Sequence, residues 1–129
     1  MNTLRTPLAR ARGVGAAHHG VGHWLGIRLT GVAMVPMVAW AVLAALHLAR
    51  SGYAGAVEWI GSPVNATLTI ILIALGFFHM HNGVPEVVMD YIERPISKIA
   101  LLVLNFMLCV LGAGLAIVSI LKVALGGAL

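Results

Sequence analysis

Three long stretches of this chain contain no Asp, Glu, Lys or Arg: residues 29–49, 59–85 and 99–121, of 21, 27 and 23 residues. A charge at mid-bilayer costs about 2.5–3.5 kcal/mol on insertion scales. A helix needs about 20 residues, each advancing about 1.5 Å, to cross roughly 30 Å of hydrocarbon. The pattern therefore predicts an all-α membrane protein with three transmembrane helices, over approximately 29–49, 63–84 and 99–122. Between Arg50 and Pro63 lie Ser51, Gly52, Gly55, Gly61 and Ser62, which read as turn and loop. Pro36 is expected to bend the first helix. Pro85, which cannot donate to the carbonyl of His81, is expected to kink or end the second. Gly112, Gly114 and Ala116 offer a face of small residues for close approach of another helix. Trp24 and Trp59 stand near the ends of apolar runs, where an indole sits at headgroup level.

Composition sharpens this reading. Of 129 residues, 60% are hydrophobic and 9% charged, and the mean hydropathy of +1.00 excludes a water-soluble domain. The net charge of +4 is carried by residues 1–28, which hold Arg5, Arg10, Arg12 and Arg28 and no acid. A basic end on an apolar chain is an orientation signal, whereas nucleic acid binding needs a broad basic face. With the N-terminus inside, those four arginines, Arg94 and Lys98 face inward, against Arg50 and Lys122 outside. Residues 1–28 thus read as a retained basic segment on the inner face. The single cysteine, Cys109, excludes an intrachain disulfide and a cysteine-only metal site. Spans without charge argue against an ion-coupled transporter or channel.

Imidazole is the remaining chemistry. His18, His19 and His23 precede the first span and His47 lies near its outer end, positions expected to be solvated or interfacial. His79 and His81 lie deeper, after a stretch from Leu68 to Phe78 that is apolar except for Thr69. Desolvation favours neutral imidazole, which is a metal ligand. The two side chains are about 200° apart around a helix, so only one of them faces a given centre. Gly83, one turn after His79, leaves the helix surface beside that imidazole nearly bare, so that a flat macrocycle could approach the backbone. His81 has Pro85 in the equivalent position and stays open as the alternative ligand. Asp90 follows His79 by eleven residues, which returns it to within about 20° of the same face some 16 Å along the axis, with Tyr91 beside it. A redox group in the bilayer next to a carboxylate and a phenol at its edge suits a lipid-soluble quinone. A haem-free anchor with an interfacial Tyr91 and a solvated Asp90 is the competing reading.

Residues 79–91, HMHNGVPEVVMDY, resemble the second-helix signature of the succinate dehydrogenase membrane anchor D subunit, in respiratory complex II. That signature has a histidine, a glycine four residues on, and an Asp-Tyr pair eleven and twelve on. Residues 20–36, GVGHWLGIRLTGVAMVP, are similar to the entry to its first helix, and the opening RTPLARARGVG to its alphaproteobacterial-type form. The resemblance implies an anchor subunit of succinate:ubiquinone oxidoreductase, in the cytoplasmic membrane of a bacterium rather than the mitochondrial inner membrane. It would pack with a second three-helix cytochrome b anchor and hold a flavoprotein and an iron-sulfur subunit, with no flavin or iron-sulfur chemistry on this chain. His79 would be one axial ligand of a haem b shared with the partner anchor. Tyr91 would donate to a ubiquinone carbonyl with Asp90 in support, and Arg28 would lie near a haem propionate or the quinone. A fumarate reductase anchor fits the same resemblance.

Overall fold

The computed structural model describes residues 6–11 and 20–126. Its described elements are all helical: α1 (Pro7–Ala11), α2 (Gly20–Gly61), α3 (Pro63–Tyr91) and α4 (Pro95–Ala124). The last three are long and apolar enough to cross a membrane. At about 1.5 Å per residue, α3 and α4 are each roughly 45 Å long, well beyond a hydrocarbon core of about 30 Å. Each therefore carries its terminal turns past the apolar layer. The start of α2, the end of α3 and the start of α4 form one charged end of the bundle, with His23, Arg28, Glu86, Asp90 and Lys98.

The connections follow from proline and extended backbone. Pro63 and Pro95 open their helices, where the missing N–H removes no helical bond. The residues before them, Ser62 and Arg94, take the extended conformation that a following proline favours. Only Ser62 separates α2 from α3, and Asn65 Nδ2 donates to the Trp59 carbonyl at 3.0 Å to close the end of α2. At the charged end, Lys98 Nζ donates to the Met89 carbonyl at 3.2 Å and closes the end of α3.

Two expectations about the helices are corrected. The segment expected as a loop between Arg50 and Pro63 is helical except at Gly52 and Ser62. Gly52, at φ 64 and ψ −176, concentrates the break in one residue. The following Ala54, Ala56, Val57, Glu58, Trp59 and Ile60 tolerate a helix, so turn-forming neighbours did not dissolve it. The break folds the chain back: Trp59 stacks on Trp40 with ring centroids 5.6 Å apart, although nineteen helical residues would separate them by about 28 Å. The second correction concerns Pro85: of the two outcomes expected, kink or end, the ending is overturned, since Pro85 lies inside α3 and the helix runs on to Tyr91. Pro36 likewise lies within helical α2.

Among the described residues few side chains are buried: Ala66, Val88, Asn105 and Cys109. In lipid an exposed Leu or Val carries no hydrophobic penalty, so helices associate through close contact of small residues instead. Gly112 serves this within the chain, since a Cβ built there would stand 2.7 Å from the Phe77 ring of α3. Gly114 faces open space.

Gly52→Ala should lower the stability of the protein by about 1–3 kcal/mol, because that backbone region is essentially restricted to glycine. A Cβ there meets nothing within 4 Å, so the effect is conformational rather than steric. Thermal unfolding in detergent measures it, and tryptophan fluorescence should report loosening of the Trp40–Trp59 stack.

Candidate functional site

α3 sends its two deep histidines to different neighbours. His79 faces α2: its Nδ1 lies 3.1 Å from Thr30 Oγ1, and its Cε1 lies 3.5 Å from where a Cβ of Gly31 would stand. His81 faces α4: its ring meets Phe106 edge-on at 5.8 Å, and its Nδ1 is buried without a hydrogen-bond partner. The divergence is that expected of residues two apart on a helix.

The bond to Thr30 fixes the chemistry of His79. Thr30 Oγ1 also lies 2.7 Å from the Gly26 carbonyl and 3.1 Å from that of Ile27, on its own helix. A hydroxyl has one proton. The shortest contact takes it to the Gly26 carbonyl, so the hydroxyl oxygen accepts from Nδ1–H of His79. In the neutral ring this tautomer places the lone pair on Nε2. A hydrogen-bonded Nδ1–H with a free Nε2 is the usual state of a metal-binding imidazole, whose second nitrogen is held by a protein acceptor. On α3, Gly76 and Gly83 flank His79 by three and four residues, and a Cβ at either would meet nothing within 4 Å. The same holds for Gly22 and Gly26 of α2. Bare backbone thus flanks His79 on α3, as the sequence suggested for Gly83, and Gly31 is the α2 glycine that stands against its ring.

At the charged end, His23 Nε2 and Glu86 Oε1 join α2 to α3 at 2.9 Å. Arg28 lies over the Trp24 ring, 4.3 Å from its centroid. Gly20, His23, Trp24, Ile27, Arg28 and Glu86 line a cavity of about 370 Å³. Arg28 and His79 therefore both belong to the α2–α3 side of the bundle. Asp90 and Tyr91 do not line this cavity; they are exposed on the last turn of α3, Tyr91 at 79%. His79, Asp90 and Tyr91 all lie on the one helix α3. His47 is exposed at the opposite end, beside Arg50 and Ser51. Arg5, Arg12, His18 and His19 lie outside the described residues, as does the side chain of Arg10. Among the described residues no group of three or more His, Cys, Asp or Glu could hold a metal ion, so a metal at His79 needs ligands from elsewhere.

Sequence reasoning missed three contacts: Thr30 to His79, His23 to Glu86, and Asn105 to the carbonyl of His81. Thr30 and Asn105 each stand in an apolar run, where a polar side chain needs a partner. That signal names the residue but not whom it meets.

Residues 2–121 match the family described as succinate dehydrogenase/fumarate reductase transmembrane subunit. The chain belongs to this family. It is 22% identical over 108 residues to a succinate dehydrogenase hydrophobic membrane anchor subunit of Rickettsia conorii, covering 83% of this chain and 86% of that one. It is 26% identical over 100 residues to the subunit of the same name from Paracoccus denitrificans, covering 75% of each. No solved structure matches the chain. The protein is thus a membrane anchor subunit of the succinate dehydrogenase/fumarate reductase family, with three apolar spans.

In the detergent-solubilised anchor, ¹⁵N spectra of the His79 ring should report a protonated Nδ1 and an unprotonated Nε2. Thr30→Val should abolish the Nδ1 hydrogen bond. Gly31→Leu should do the same by displacing the ring, while Gly31→Ala, at an ordinary contact distance, should preserve it.

Proposed function

We propose that the chain is an anchor subunit of a succinate:ubiquinone oxidoreductase, that His79 is one axial ligand of a haem b shared with a second three-helix anchor, and that Tyr91 and Asp90 form part of the ubiquinone site. The observation that carries the haem assignment is the Thr30–His79 hydrogen bond, which engages Nδ1 and leaves Nε2 as the nitrogen that would hold iron. The bare backbone at Gly76 and Gly83 supports a flat group lying beside that nitrogen. His81 lacks a comparable second-nitrogen partner and faces α4, which favours His79. The names of both relatives favour succinate oxidation over fumarate reduction, and their bacterial sources support a bacterial cytoplasmic membrane.

The mechanism assigns each residue a task. Thr30 holds the His79 ring in one orientation through Nδ1, so that Nε2 is the nitrogen that would hold the iron. His79 would hold a haem from this chain's side, and the group would supply a one-electron store when bound. Arg28, held against Trp24, presents a fixed positive charge to a propionate or a quinone oxygen at the charged end. The Tyr91 hydroxyl donates to a quinone carbonyl and stabilises the negative charge that reduction places on that oxygen. Asp90 beside it can hold a proton for delivery to the same oxygen. The basic N-terminal segment, Arg94 and Lys98 orient this end toward the compartment holding the flavoprotein and iron-sulfur subunits.

His79→Ala should remove the low-spin haem signal from reduced-minus-oxidised spectra of the purified complex, whereas His81→Ala should retain it. The opposite result would transfer the ligand to His81. Tyr91→Phe should lower succinate-to-quinone turnover by about tenfold or more, with succinate oxidation by an artificial acceptor unchanged.

A further inference from the structure

Pro85 removes the donor that would have served the carbonyl of His81, and its ring crowds that same carbonyl. Yet α3 continues as helix to Tyr91. The missing donor comes from another element: Asn105 Nδ2 of α4 donates to the His81 carbonyl at 3.3 Å. Asn105 is only 7% exposed, the one polar residue among the buried side chains described. Its other end is also engaged, since Cys109 Sγ donates to Asn105 Oδ1 at 3.6 Å. Cys109 is itself 5% exposed. The carboxamide is therefore held at both ends, with its NH₂ turned to α3.

The bond falls at the one point of α3 where the helix has lost an internal tie, between His79 on one side and Asp90 and Tyr91 on the other. We propose that Asn105 is a positioning residue: by pairing the carbonyl that Pro85 orphans, it ties the turn that carries His79 to α4, the same helix whose Lys98 holds the Met89 carbonyl in the turns beyond the proline. Its function is to fix Asp90 and Tyr91 relative to His79, and this part rests on the quinone and haem reading above. With Asn105 in place, a helix interrupted by proline keeps a defined register across the break. Without it, the His81 carbonyl is unpaired in an apolar setting and the final turns are free to pivot about Pro85.

The test is a double-mutant cycle in the intact membrane complex. Asn105→Leu removes the donor at similar volume. Pro85→Ala restores the internal N–H and should make Asn105 dispensable. Backbone amides of residues 83–91 should exchange hydrogen faster in N105L and return to the parent rate in the N105L/P85A double variant. The KM for ubiquinone should rise roughly tenfold in N105L, with succinate oxidation by an artificial acceptor unchanged, and should fall in the double variant to the value of P85A alone. Should N105L fail to assemble, recovery of assembly in the double variant would support the same conclusion. Unchanged exchange in N105L, or losses that simply add in the double variant, would overturn it. Exchange that follows the expected pattern while quinone KM stays fixed in every variant would instead overturn the quinone assignment of Asp90 and Tyr91.

Discussion

A peptide group within hydrocarbon has no water to bond and must find its partner inside the protein. Backbone satisfaction is therefore the constraint on which this molecule rests, and it explains both the helices and the polar side chains within them. Thr30, Ser51, Thr69, Asn82 and Ser119 each donate to a carbonyl three or four residues back on their own helix. Their hydroxyls and carboxamides enter apolar runs at small cost because the helix supplies the acceptor. Where a side chain bonds across helices instead, it does so beside something the helix cannot supply. Thr30 has spare lone pairs after serving Gly26, and these accept a hydrogen bond from His79. Asn105 meets a carbonyl that proline has orphaned. An unpaired buried carbonyl costs about 1–3 kcal/mol, a large fraction of the stability of a small protein.

The same solvent logic accounts for the scarcity of buried residues. In water a helix with Leu104, Leu108, Leu111 and Leu115 exposed would aggregate; in lipid those side chains are at home. Association must come from fit, as at Gly112, where α4 admits the Phe77 ring of α3. Much of each helix surface is thereby left for lipid and for the other subunits that the family assembles around such anchors.

Function follows from how α3 is faced. A helix that places His79 toward α2 necessarily turns His81 toward α4. The first imidazole gains an orienting hydroxyl and glycine-lined surroundings; the second gains an aromatic neighbour and keeps an unpaired nitrogen. Two histidines that look equivalent in an apolar run are thus given different chemistry by their neighbours. At the charged end, Arg28, His23 and Glu86 gather in one cavity between α2 and α3, while Asp90 and Tyr91 stand exposed on the last turn.

The sequence alone determined the three spans, because the absence of charge over about twenty residues is a one-dimensional property with a fixed physical length behind it. The spacing of His79 from Asp90 and Tyr91 along the chain is likewise a property of the sequence, but that one helix carries all three past Pro85 was decided by the tertiary structure. Local rules failed where a distant partner intervened. Pro85, expected to kink or end its helix, does not end it, and the loop expected around Gly52 was mostly helix, closed by stacking of Trp59 on Trp40. The pairings of Thr30 with His79, His23 with Glu86 and Asn105 with His81 join residues 49, 63 and 24 positions apart. Nothing in the spacing of such residues encodes their meeting. It depends on the rotation of each helix about its axis, which packing fixes only once all three helices lie together.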